Sequence, residues 1–165
     1  MPHFLLKINK RKWDKLDVPW LEPNQIQADP LGDLKISEGT LSVWHVNDDK
    51  SNLDIVITAL AANRDNFDKF EYGLFDQTIA MSLNLKMQNT PGTTPIDKAN
   101  IWHRDVVELT AEKAFELIKA IFDTFEKQRV LDDDIKTKIL NADSQGNLDI
   151  HKVHDPMKSR IIKSR

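Results

Sequence analysis

The sequence predicts an α+β fold: a mostly antiparallel sheet from the N-terminal two-thirds of the chain, packed against one long amphipathic helix and a shorter second helix. Three observations carry this expectation. Short β-branched or alternating apolar segments, separated by turn formers, dominate residues 1–109. Helical apolar stripes begin only at Ala111 and again after Asp132. Strands early and helices late favour α+β over an alternating α/β order.

Residues 1–157 are expected to form one domain and the basic residues 158–165 a frayed or disordered tail. A chain of 165 residues is long enough to bury roughly 70% of its unfolded surface without staples. Its 40% hydrophobic and 30% charged residues place it in the globular range. There is no repeat and no Gly/Ser linker to divide it.

Phe4–Ile8 reads as an opening strand. The stretch through Trp13, Pro19, Trp20, Pro23 and Pro30 is irregular, because prolines so closely spaced forbid a continuous helix. Leu34–Ile36 and Leu41–Val46 fit a hairpin about Glu38-Gly39. The β-branched run Ile55–Thr58 makes Leu53–Ala62 a predicted strand. Phe67, Phe70, Leu74 and Phe75 give residues 63–76 a broken helical spacing, and Ile79, Met81, Leu83, Leu85 and Met87 alternate as a half-buried strand. Residues 89–95 are a loop by composition, and Ile101–Leu109 resumes extended character. Thr110 is then a good N-cap for a helix whose stripe is Ala111, Ala114, Phe115, Ile118, Ile121, Phe122 and Phe125. Asp132, Asp133 and Asp134 suit the start of the second helix, which buries Ile135, Ile139 and Leu140 and ends near Gly146.

The absence of cysteine removes disulfides, thiolate nucleophiles and cysteine-ligated metals. The N-terminal apolar residues precede their basic residues, the reverse of a secretory signal. The longest uncharged apolar run, Ile55–Ala62, is far short of the ~20 residues of a membrane span. A cytoplasmic protein with no membrane partner is expected. The net charge of -3 conceals +4 at residues 1–15, +4 at residues 158–165 and -11 between them. Such an acidic body makes nucleic acid an unfavoured partner, although basic ends can grip phosphates.

Among candidate sites, His103, Arg104 and Asp105 offer a base, an anion clamp and an orienting carboxylate for a phosphorylated or nucleotide-like substrate. On a strand, His103 and Asp105 share one face and Arg104 takes the other. The nearby Thr93 and Thr94 add hydroxyls that suit an anion-wrapping loop. Residues Asn141 to Asp149 resemble a calcium loop in part, but Lys152 stands where the closing glutamate belongs. His151 and His154 have a spacing that zinc ligands use, without a third ligand in the motif. No metal and no cofactor is expected, since both metal motifs are incomplete and there is no Gly-rich phosphate loop; the absence of a nucleophile elbow argues against covalent acyl chemistry.

The tryptophans point elsewhere. Trp13, Trp20 and Trp102 are candidate partner anchors, because large aromatic rings dominate interface energies. Together with the acidic body they favour a non-enzymatic protein-binding module with a basic partner, such as an inhibitor, immunity protein, antitoxin or accessory subunit of a bacterial system.

Overall fold

The computed structural model describes residues 1–22 and 25–165; Pro23, expected in the irregular stretch, lies outside the described residues. Phe4, Leu5 and Leu6 are all buried in strand β1 (His3–Lys7). Consecutive burial means that this strand is covered on both faces. It pairs antiparallel with β2 (Leu41–Val46) on one side and β3 (Phe70–Asp76) on the other. With β4 (Lys86–Asn89), β5 (His103–Val107) and β6 (Glu126–Val130), the order is β4-β5-β2-β1-β3-β6, every pair antiparallel. One six-stranded antiparallel sheet with helices makes the chain α+β.

The helices are α1 (Leu53–Ala62), α2 (Gln77–Ser82), the single turn α3 (Asp97–Asn100), α4 (Ala111–Ile121), α5 (Asp132–Ser144) and α6 (Asp155–Ser164). Leu5, Trp44, Val46, Phe70 and Leu74 form a core with α1, α5 and α6 on one face of the sheet. Phe4, Leu6, Val43, Phe75 and Val106 form the other with α2, α4 and Trp13. Among the described residues, no helix is long and apolar enough to cross a membrane.

Several expected elements are corrected. Leu53–Ala62 is a helix, not a strand. Asn52, itself buried, accepts from Asn47 N (2.8 Å) and donates to the His45 carbonyl (3.0 Å), turning the chain out of β2 directly into α1. Ala59, Ala61 and Ala62 then give α1 a thin, fully buried side, and burial overrides the β-preference of Ile55–Thr58. Residues 70–76 are a strand, because Gly73 leaves room for the Phe125 ring, whose Cζ lies 2.1 Å from where a Cβ would stand.

The strand expected over residues 78–87 is α2 followed by β4. The Asp76 carboxylate caps α2 by accepting from Thr78 N and Oγ1, both at 2.8 Å. Asn84, at φ 49°, takes the left-handed turn that separates the two. Leu34–Ile36 forms no strand. Glu38 and Gly39 do make a tight turn with φ of 51° and 70°, closed by the Ser37–Thr40 bridge, but β2 pairs with β1 and β5 instead.

In α4 the buried stripe is Ala114, Leu117, Ile118 and Ile121, while Phe115 is 48% exposed. Thr110 Oγ1 accepts from Lys113 N (3.3 Å), as the cap requires. Phe122 and Phe125 are buried beyond the helix end, and β6, which has no buried residue, was not foreseen. The second helix, α5, has 13 residues against 11 in α4, so the expected order of lengths is reversed. The basic C-terminal residues belong to α6 rather than to a frayed tail. Met157 and Ile161 are fully buried, and Arg165 makes two hydrogen bonds to Asp143 (2.9 and 2.7 Å).

Candidate functional site

The β2–β5 register opposes Ser42 to Asp105 and Trp44 to His103, which sets all four on one face of the sheet. His103 Nδ1 lies 2.7 Å from the Thr90 carbonyl oxygen, so this nitrogen carries a proton. Its Nε2 is 3.7 Å from Asp105 Oδ1, and its ring stands edge-on to Trp44 at 5.1 Å. Ser42 Oγ donates to Asp105 Oδ1 at 3.0 Å. The hydroxyl therefore bonds to the carboxylate and not to the imidazole, so the three groups do not form a relay that deprotonates serine. Arg104 projects to the other face, as strand geometry requires. Its Nη1 donates to the carbonyls of Ile101 (2.7 Å) and His103 (2.6 Å), holding the turn that enters β5.

The threonine loop is folded on itself. Asn100 Oδ1 accepts from Thr94 N (2.9 Å) and Thr94 Oγ1 (2.8 Å), while its Nδ2 donates to the Thr94 carbonyl (3.1 Å). Thr94 is buried and its hydroxyl is committed; Thr93 is exposed. Gly92 is required where it is, because a Cβ there would meet Trp44 Cη2 at 2.7 Å and Asn100 Oδ1 at 2.9 Å.

Among the described residues, no group of three or more His, Cys, Asp or Glu side chains is placed to hold a metal ion. Asp143 is paired with Arg165, Lys152 lies between Asp97 (2.5 Å) and Asp149 (3.8 Å), and His154 Nδ1 faces Asp65 at 3.3 Å. Asp143 and Asp149 of the partial calcium loop thus sit beside cations and His154 beside Asp65, while His151 is exposed and its backbone N–H donates to Asp149 Oδ1 (3.0 Å).

The tryptophans separate sharply. Trp13, expected as an anchor, is fully buried; its Nε1 donates to Asp33 Oδ2 (2.9 Å) and its ring packs 4.6 Å from that of Phe125. Trp102 is half-buried against the α1-side core. Trp20 is 68% exposed. With Leu21, Ile26, Gln27, Phe115 and Lys119 it lines a cleft of about 530 Å³ over the outer side of α4.

Gln27 is a polar lining residue of this cleft. The residue is 5% exposed and its Nε2 donates to the Asp14 carbonyl at 2.5 Å. Its Oε1 is buried without a hydrogen-bond partner among the described residues. Phe115 and Gln27 were missed from sequence. Phe115 was assigned to the buried stripe, although the i, i+3, i+4, i+7 series Ala114-Leu117-Ile118-Ile121 leaves it out; nothing in the local sequence distinguishes Gln27.

Comparison of the chain with protein-family models, with curated proteins and with solved structures returns no match.

Proposed function

We propose that this protein is a non-enzymatic protein-binding module that captures a basic partner through the Trp20–Phe115 cleft. The observation that carries the reading is the pairing of two exposed aromatic rings, 68% and 48% accessible, across one cleft that is also lined by Gln27, whose buried amide oxygen has no partner among the described residues. Exposed aromatic rings of this kind are the side chains from which interface hot spots are made. A buried acceptor without a partner costs about 1–3 kcal/mol. An N–H from a lysine, an arginine or a backbone amide removes that cost only if binding moves aside the groups that cover this oxygen.

Charge selects among such donors. The segment that carries Trp20 has exposed Asp14, Asp17, Glu22 and Asp29 against a single Lys15. An excess of acidic side chains on this segment favours a basic partner surface over an acidic one, while the charged residue that lines the cleft itself is Lys119. An inhibitor, immunity protein, antitoxin or accessory subunit of a bacterial system fits this description.

The test is affinity capture at native salt from the source cells, with the wild-type chain and with W20S/F115S. The wild type is expected to retain one basic protein in stoichiometric amount. The double variant, unchanged in melting temperature because both side chains are exposed, is expected to lose it. Retention by the variant, or capture of no stoichiometric partner by the wild type, overturns the proposal.

A further inference from the structure

A second concavity opens beside β1 and β2 and is lined by two lysines. Lys7 closes β1 on the same face as Trp44, and Leu60 near the end of α1 lies above them. Lys7, Lys35, Leu34, Ser42, Trp44 and Leu60 line a groove of about 430 Å³, a volume within the range of small-molecule sites. Its walls are largely apolar.

Neither Lys7 nor Lys35 has a carboxylate within ion-pairing distance among the described residues. The acid that lines the groove, Asp33, is occupied elsewhere. Its Oδ2 accepts from Asn9 N (2.7 Å) and from the Trp13 indole (2.9 Å), and its Oδ1 faces Lys12 at 3.8 Å. Burial first, then Arg64 and Lys35, push the Lys7 ammonium below the usual lysine range, with Asp33 opposing. Arg64 is itself fixed by hydrogen bonds to the carbonyls of Asp68 and Lys69, both 3.0 Å, so its charge stays in place. An apolar floor beneath two uncompensated cations favours a ligand that supplies both an apolar surface and a negative charge.

We infer that this groove binds a small amphiphilic anion, its apolar body against Trp44 and Leu60 and its carboxylate or phosphate head between Lys7 and Lys35. The site shares no lining residue with the Trp20 cleft.

The experiment titrates the full chain with decanoate, decyl phosphate, decanol and inorganic phosphate, following the Trp44 indole and Ser42 amide resonances. At least one of the two amphiphilic anions is expected to bind about tenfold or more tightly than decanol, the difference a charge-assisted hydrogen bond supplies. The same margin is expected over inorganic phosphate, and the preferred head separates a carboxylate from a phosphate ligand. K7Q/K35Q is expected to reduce the anion to the affinity of decanol, whereas W20S/F115S leaves it unchanged. Decanol or inorganic phosphate binding as tightly as both anions overturns the inference. So does an unaltered affinity in K7Q/K35Q, or perturbation centred away from Trp44.

Discussion

Burial and the nearby Arg64 and Lys35 hold the Lys7 ammonium below its ordinary range, against Asp33, which favours the charged form. A cation with a lower pKa in the folded than in the unfolded state destabilises the fold while it is charged. That penalty is complete at neutral pH and disappears as pH rises through the folded-state value toward the unfolded one. K7Q is therefore expected to melt at or slightly above the wild type at neutral pH, with the gap closing under alkaline conditions. The gap is small because Lys7 remains solvent-accessible. Melting curves at both pH values check this, and a K7Q that melts lower at neutral pH contradicts it. Single residues were the least legible scale. Trp13 and Trp20 occur in one irregular stretch with similar apolar neighbours, and what divides them is distant: Asp33 takes the Trp13 indole N–H, and Phe122 and Phe125 pack on its ring. His103 was correctly placed on one face with Asp105, yet its Thr90 contact and the Ser42–Asp105 bond depend on strand pairing that local sequence does not encode.

At the scale of elements, Gly73 and Phe125 form a tight joint between the sheet and the layer that covers it. A Cβ on residue 73 would fall 2.1 Å from Phe125 Cζ, so G73A must displace the ring or bend β3. The expected loss is roughly 3 kcal/mol by chemical denaturation, in the overpacking range. G73A/F125A should lose less than the sum of the two single variants, because removing the ring leaves the methyl group nothing to strike. A loss from G73A within experimental error of zero contradicts this packing. Residues 110–121 were legible because cap, apolar stripe and solvent face agree. Residues 53–62 and 70–76 were not, for a shared reason. Most of each is buried, Val56 to Ala59 with Ala61 and Ala62 in the first and Phe70 with Tyr72 to Phe75 in the second, which leaves few polar positions to reveal a period. The strand β6 failed for the opposite reason: it is an edge strand with no buried residue to mark it.

Over the whole molecule, both faces of the sheet are covered, and α6 completes the α1 side. Ile161 is fully buried in the core shared with Phe70, Ile139 and Met157. Ile161→Ala is expected to cost about 2–4 kcal/mol by denaturant titration. A frayed C-terminus would leave stability unaltered, so a negligible loss contradicts the docking of α6. The α+β class agrees with the sequence reading, but not its order of strands then helices, since α1, α2 and α3 fall between strands and β6 follows α4; the sheet order β4-β5-β2-β1-β3-β6 was not readable, because it is set by contacts between distant segments. Two of the concavities around this sheet differ in character, the aromatic cleft over α4 and the lysine-lined groove beside α1. The reading of this chain as a binding module rests on the first. The most direct test labels the chain with 5-fluorotryptophan and records fluorine spectra free and in complex with its captured basic partner. The account predicts that the Trp20 resonance shifts while that of buried Trp13 stays fixed. A saturated complex in which the Trp20 resonance does not move would contradict it.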